Sequence, residues 1–229
     1  MEGKKMKTTY IGQAGLIIET GGLTIMIDPY LSDSVVKVNP KNYRRVPVNE
    51  KIFDVKPDVM IFTHDHLDHY DPETVPKFIN ENTSVLVLAP TSAYLKARQL
   101  GGSNNYVEFN RHTEWTEGTV RFTAVKAFHS DAYAIGVIIE SEGEKYYITG
   151  DTLYNEEIFA DIPSDIDALF LPINGVGNNM NATDAARFAK RIGAKITVPF
   201  HIGMFDELSA DIFEYENKTV PKLWCTVTE

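Results

Sequence analysis

Short apolar runs separated by turn residues dominate the start of the chain. They occupy residues 8–11, 16–19 and 23–27, and Gly21 and Gly22 separate the last two. Runs of this length with glycines between them are typical of a β-meander that contains a tight hairpin. Asp28 closes the third run, immediately before Pro29.

Strand and helix patterns alternate along the rest of the chain. Asn181 and Gly193 are suited to cap the two ends of the last helix. This alternation predicts an α/β fold in which helices cover β-sheets. The predicted strands are residues 59–63, 84–89, 105–109, 113–116, 119–128, 133–139, 145–149, 168–172 and 195–200, and the predicted helices are residues 72–80, 91–100 and 183–192.

Residues 31–57 lack any apolar period, contain several prolines and carry a basic bias. Long irregular segments in compact domains are often lids or binding loops. Arg44 is our candidate there for binding a substrate carboxylate or phosphate, because guanidinium groups bind such anions with two hydrogen bonds. The alternative is that the basic residues form a solvated charge cluster.

Composition narrows the function classes. The chain has 229 residues, of which 43% are hydrophobic, so we expect one domain spanning residues 1–229. A net charge of −10 argues against binding to nucleic acid or to an anionic membrane, since both require a basic face. No apolar stretch has membrane-spanning length and no signal-peptide core precedes the domain, which predicts a cytoplasmic protein. The single cysteine, Cys225, excludes an internal disulfide, and we expect it to be packed.

The densest chemistry lies in His64-Asp65-His66-Leu67-Asp68-His69, directly after a predicted strand. So many imidazoles and carboxylates need hydrogen bonds or a metal ion if they are buried. A surface loop rich in His and Asp is the alternative reading, but this spacing at a strand end favours metal binding.

Three more metal-binding side chains follow predicted strands: His129, Asp151 and His201. Ligands gather beyond the carboxyl ends of strands in sheets covered by helices. We therefore expect these residues to meet the His64 loop in one cleft.

Seven candidate ligands are too many for one tetrahedral ion and suit two. We assign His64, His66 and His129 to the first ion, Asp68, His69 and His201 to the second, and Asp151 to a bridging position. With one bridging hydroxide the cluster would carry a charge of about +1. Asp28 is either a carboxylate that orients a ligand histidine or an ordinary turn residue.

A metal pair predicts hydrolysis, because it lowers the pKa of bound water from about 15.7 to about 7 and stabilises the anion that follows attack. Asp68 and Asp151 are the predicted catalytic residues, and zinc or manganese the predicted metal. We expect a small, anionic substrate. Asn174, Asn178 and Asn181 are candidate substrate contacts, because they lie before a helix N-terminus, where anions bind readily. The alternative is a turn rich in Gly and Asn, which we favour for Asn178, with Asn181 as a helix cap.

The order of these residues resembles the metallo-β-lactamase superfamily, which implies a four-layer αββα sandwich with a dinuclear site at one edge. Within it, the chain is similar to the ascorbate-6-phosphate lactonase-like branch, which implies metal-dependent opening of a sugar lactone phosphate. Those enzymes are longer and lack a histidine at the position of His129. The similar segments are residues 63–69, Arg44-x-x-Pro47, residues 149–152, residues 181–185 and Pro199-Phe200-His201.

Two alternatives stay open at this point. One is a phosphodiesterase of the same superfamily, and the other is a metal sensor without turnover on the same scaffold. The sequence also leaves open whether the chain forms a homo-oligomer.

Overall fold

The computed structural model describes residues 5–228, and its strands form two mixed β-sheets. The first sheet has the order β13-β1-β2-β3-β4-β5-β6, and the second has the order β12-β11-β10-β9-β8-β7. The strands are β1 (Lys7–Gly12), β2 (Gly15–Thr20), β3 (Leu23–Ile27), β4 (Val59–Ile61), β5 (Leu86–Ala89), β6 (Asn105–Glu108), β7 (Glu114–Glu117), β8 (Val120–Lys126), β9 (Ile135–Ser141), β10 (Glu144–Ile148), β11 (Ala168–Pro172), β12 (Ile196–Phe200) and β13 (Cys225–Thr228).

Each sheet combines an antiparallel meander with parallel strands. In the first sheet β1, β2 and β3 are antiparallel, and β3, β4, β5 and β6 run parallel. In the second sheet β8, β9 and β10 are antiparallel, and β10, β11 and β12 run parallel. Strands β4, β10 and β12 therefore each deliver the residues that follow them to a carboxyl edge of a sheet.

The main core lies between the two sheets. Side chains such as Ile18 and Ile61 from the first sheet belong to the same buried cluster as Phe122 and Phe170 from the second. Three helices cover the outer faces: α1 (Val75–Phe78) and α2 (Thr91–Ala97) pack on the first sheet, and α3 (Ala182–Ile192) packs on the second. The predicted αββα sandwich is confirmed. Across residues 5–228, no helix is both long enough and apolar enough to cross a bilayer.

Several local predictions were wrong. The helix predicted over residues 72–80 is a single turn, because Pro76 has no N–H to bond the carbonyl of Pro72. The final strand, β13, was missed because it is short and follows an irregular segment. Cys225 lies on this strand and is exposed rather than packed. The caps predicted for α3 at Asn181 and Gly193 are confirmed.

Candidate metal centre

The first group of predicted ligands follows β4. Hydrogen bonds from His69 N and Tyr70 N to His66 O, of 3.0 and 2.8 Å, close a turn within the loop. This turn brings the His69 ring back beside the His64 ring, with centroids 4.0 Å apart. Ile135 N donates to Thr63 O over 3.0 Å, so the base of the loop is tied to the second sheet.

The second group comes from the second sheet. His129 follows β8, while Asp151 follows β10 after Gly150, which has φ of +60°. A Cβ at Gly150 would lie 2.8 Å from the Ile135 carbonyl oxygen, so only glycine fits this approach. His201 follows β12 in the left-handed region, with φ of +60°, and its N–H donates to Gln13 O over 2.7 Å.

All seven predicted ligands lie together in the structure. The potential ligand atoms of His64, His66 and His129 lie within 4.8 Å of one another, and so do those of Asp68, His69 and His201. These two clusters are the two sets that the sequence analysis assigned to separate ions.

Asp151 lies between the two clusters. Its Oδ1 is 3.3 Å from His69 Nε2, and its Oδ2 is 3.2 Å from His201 Nε2 and 3.9 Å from His129 Nε2. One carboxylate therefore reaches histidines of both clusters, which is the arrangement that a bridging ligand requires.

Buried polar atoms without partners show that the site fits metal ions. His64 Nε2, His69 Nε2 and Asp151 Oδ1 are buried and form no hydrogen bond, and the last two face each other at 3.3 Å. Such orphaned atoms are costly unless a ligand satisfies them. Imidazole nitrogens and carboxylate oxygens are the donors that zinc and other transition metals bind.

The electrostatics of the site also favour cations. Burial disfavours charge on His69 and His201, but the facing carboxylates raise the pKa of His69 and raise that of His201 to about 10. Burial alone would raise the pKa of Asp68 and Asp151, but the two histidines hold both pKa values below their ordinary range. His64 differs, because burial and the neighbouring His69 lower its pKa.

Asp28 contacts the ligand loop and forms a third group with His64 and His69, in which the potential ligand atoms also lie within 4.8 Å of one another. It is 1% exposed and accepts hydrogen bonds from His69 Nδ1 and Thr63 N, both over 2.8 Å. Its Oδ2 also accepts from the Thr63 hydroxyl, whose oxygen lies 3.0 Å from His64 Nδ1. These are the contacts that a carboxylate orienting ligand histidines would make.

Comparison with known proteins identifies the family. Residues 24–202 match the beta-lactamase superfamily domain. The chain belongs to the metallo-β-lactamase superfamily. It is 31% identical over 219 residues to a UPF0173 metal-dependent hydrolase of Geobacillus thermodenitrificans, and the match covers 90% of this chain and 89% of that protein. A UPF0173 metal-dependent hydrolase of Bacillus mycoides is 30% identical over 227 residues, and the match covers 93% of this chain and 92% of that protein.

Solved structures share the fold at low identity. A possible metal-dependent hydrolase from Veillonella parvula has a TM-score of 0.76 at 18% identity, covering 99% of this chain and 100% of that one. An isothiocyanate hydrolase from Delia radicum gut bacteria has a TM-score of 0.76 at 19% identity, covering 98% and 99%. The family match and the relatives of about 30% identity show that the chain is a metal-dependent hydrolase of the metallo-β-lactamase superfamily.

Gln13 and Asn179 contact the ligands and were missed from the sequence, as was Ser130, whose Oγ lies 3.4 Å from His66 Nε2. Gln13, in the tight β1–β2 turn with φ of +54°, is 1% exposed, and its Nε2 donates to Asp68 Oδ2 over 2.7 Å. The same nitrogen lies 3.0 Å from His201 Nε2. Asn179 donates to Asp151 Oδ2 over 2.8 Å. The available sequence signal for Gln13 was an amide side chain in a hairpin turn between two glycines, but the residues that Gln13 contacts are distant in sequence.

The ligands open into a cavity of about 670 Å³. Four of the seven predicted ligands reach its surface, accompanied mainly by amide and apolar side chains. The lining residues are Gln13, Val35, Asn42, His66, Asp68, Ser130, Asp151, Asn174, Val176, Gly177, Asn178, Asn179, His201, Phe205 and Asp206.

The predicted substrate contacts divide into two groups. Asn174 lines the cavity, with its Nδ2 2.9 Å from His201 Nδ1. Arg44 lies outside the lining, where its Nη1 and Nε donate to Tyr30 O and Val46 O over 2.7 and 2.8 Å. Asn181 is also outside and caps α3 by accepting from Asp184 N over 2.9 Å. This geometry favours bracing and capping roles for Arg44 and Asn181 over the predicted contact with substrate.

Proposed function

We propose that the chain is a dinuclear hydrolase that opens a lactone or a similar ester in a small, uncharged molecule. The observation that carries this proposal is the pair of ligand clusters with Asp151 between them, at the base of an open cavity. Bound metal ions would supply a water nucleophile at neutral pH and polarise the carbonyl. The earlier resemblance to the ascorbate-6-phosphate lactonase-like branch supports the choice of a lactone.

The protein residues would divide the work as follows. His64, His66 and His129 hold one ion, Asp68, His69 and His201 hold the other, and Asp151 reaches both. Asp28 orients the ligand loop from behind. Asp68 Oδ2 accepts from Gln13 Nε2 and lies 3.2 Å from His201 Nε2, within the second ligand cluster, so we assign Asp68 Oδ1 to accepting the water proton and returning it to the leaving alkoxide.

The charge of the cavity favours an uncharged substrate over the anionic one expected from the sequence. None of the residues that line it within the described chain is Lys or Arg, and Asp206 adds a negative charge. A phosphorylated molecule would find positive charge only at the metal ions, in a protein of net charge −10.

The wall of the cavity also offers apolar contact to a substrate. Phe205 packs edge-on against the buried Tyr30 ring, at 5.5 Å between centroids, and Val35 belongs to the same cluster. Val176 also lines the cavity, is 62% exposed and is flanked by two glycines with positive φ. An isothiocyanate, the substrate named for one structural relative, is also an uncharged electrophile and is a second candidate on this ground.

The test combines metal analysis with a substrate panel. Purified protein would be analysed for zinc and manganese, then assayed on neutral lactones, a phosphorylated lactone, an aryl isothiocyanate and bis-p-nitrophenyl phosphate. We expect two metal equivalents and lactone turnover, both lost in Asp151→Asn. Asp65→Asn is the matched control, because Asp65 lies in the same loop but pairs with Lys96 over 2.7 Å. Turnover of the phosphodiester alone would favour the phosphodiesterase, and two metal equivalents without any turnover would favour the sensor.

A further inference from the structure

We propose that Asn174 positions His201 for metal binding through its amide oxygen, and that this requires a half-turn of the amide from the orientation seen here. Asn174 is then a positioning residue rather than a substrate contact. The inference rests on the metal site of the proposed function, and the experiment below separates the two.

Three of the four other ligand histidines set the pattern, whereas the fourth, His66, has Ser130 Oγ 3.4 Å from its Nε2. Each of the three has its Nδ1 against an oxygen atom: Thr63 Oγ1 for His64 at 3.0 Å, Asp28 Oδ2 for His69 at 2.8 Å and the carbonyl oxygen of Asn178 for His129 at 3.2 Å. An oxygen acceptor at Nδ1 keeps the ring hydrogen there and leaves the Nε2 lone pair free for a metal ion.

His201 departs from this pattern. Its Nδ1 lies 2.9 Å from Asn174 Nδ2 and 3.2 Å from Gln13 Nε2, which are both donors, so these contacts favour a neutral ring that accepts at Nδ1. A neutral ring in that state carries its hydrogen on Nε2, which lies 3.2 Å from both Asp68 Oδ2 and Asp151 Oδ2. A hydrogen on Nε2 excludes metal binding through that atom.

Rotation of the Asn174 amide by half a turn resolves the conflict. Asn174 Oδ1 is buried and has no hydrogen-bond partner at present. The rotation exchanges Oδ1 with Nδ2, so that the oxygen accepts from Nδ1 and His201 gains the same orientation as His64, His69 and His129. The rotation involves only the side chain. The backbone can keep its present contacts, which are a β-bridge between Asn174 and Asn181 and a hydrogen bond from Gly175 N to Met180 O over 3.0 Å.

The first measurement is zinc affinity by competition with a chelator. In Asn174→Leu, which has no acceptor, we expect one of the two zinc equivalents to bind about 10- to 100-fold more weakly. Asn174→Asp keeps two acceptor oxygens and should restore the affinity. Asn181→Ala removes an amide from the same loop and should leave zinc binding unchanged, because Asn181 caps α3 and does not line the cavity.

The second measurement is the nitrogen NMR signal of His201, which a purely structural role of Asn174 would not move. Zinc-loaded wild type and Asn174→Asp should show hydrogen on Nδ1, and Asn174→Leu should lose this hydrogen-bonded signal. Unchanged zinc affinity in Asn174→Leu, or no rescue by Asn174→Asp, overturns the inference alone. Absence of zinc binding by the wild type overturns the proposed function together with it.

Discussion

Replacing Asp28 with Asn tests how the ligand loop is oriented. The two side chains have the same shape, but the substitution exchanges one carboxylate oxygen for an NH₂ group. Asp28 Oδ1 accepts from Thr63 N, whereas Oδ2 accepts from both His69 Nδ1 and the Thr63 hydroxyl. If the asparagine oxygen keeps the bond to Thr63 N, its NH₂ group faces His69 Nδ1.

This contact would force His69 to accept at Nδ1 and to carry its hydrogen on Nε2, the atom turned towards Asp151 at 3.3 Å. Loss of such an orienting partner typically costs 10- to 100-fold in metal affinity, which corresponds to about 1.4 to 2.7 kcal/mol. The Thr63 hydroxyl links Asp28 to His64 as well. We therefore expect both metal equivalents to weaken, since His64 and His69 belong to different clusters.

The assay is zinc competition with a chelator, together with urea unfolding of the metal-free protein. Asp71→Asn is the control, because Asp71 is as buried as Asp28 but accepts from Thr74 Oγ1 and Glu73 N, away from the ligands. It should lower the free energy of unfolding without changing zinc affinity. Equal zinc affinities in wild type and Asp28→Asn would refute the reasoning.

Three further predictions concern the cavity, the strand end and the partly buried carboxylate of Asp161. In a series of alkyl-substituted lactones, kcat/KM should rise by about fourfold for each added methylene. Phe205→Ala should reduce this increase per methylene, whereas Leu95→Ala, at an exposed residue outside the cavity, should not; an increase that Phe205→Ala leaves unchanged would count against apolar contact with the cavity wall. Gly150→Ala should lower the free energy of unfolding by about 1 to 3 kcal/mol and reduce metal uptake. Gly143 has φ of +80° and no neighbour within 4 Å of an added Cβ, so Gly143→Ala should leave metal uptake unchanged, and normal metal uptake by Gly150→Ala would contradict the prediction. The Arg111 guanidinium lowers the pKa of Asp161 from 3.8 to about 2, so the ionised Asp161 stabilises the folded state above pH 3.8 and this stabilisation is lost as pH falls towards 2. The free energy of unfolding of Asp161→Asn should therefore depend less on pH in that range, and identical acid-unfolding profiles for the variant and the wild type would exclude the effect.

The sequence predicted the ligand clusters because each ligand follows an apolar strand. A change from buried apolar residues to His or Asp marks the carboxyl end of a strand, and parallel packing gathers such ends at one edge. His64, His129 and His201 were found in this way without knowledge of the strand order. The order itself, with β13 beside β1 and β12 at the edge of the second sheet, depends on pairings between distant segments.

The contacts around the ligands were harder to predict. Gln13 and Asn179 carry no local pattern that links them to Asp68 and Asp151, because their partners are 55 and 28 residues away. The basic bias around Arg44 suggested anion binding, but its Nη1 and Nε donate to two backbone carbonyls, and its Nη2 is buried without a hydrogen-bond partner. A charged residue in a loop therefore indicates its function only when its hydrogen-bond partners are known.

The ligands come from both sheets, since the His64 loop follows β4 whereas His129, Asp151 and His201 follow β8, β10 and β12. An ion held by both groups acts as a reversible cross-link between the halves of the sandwich. Its release should then loosen the packing of one half on the other, with faster amide hydrogen exchange near this edge than at the opposite end. Metal supply would in that way govern how long the folded protein persists as well as how fast it works.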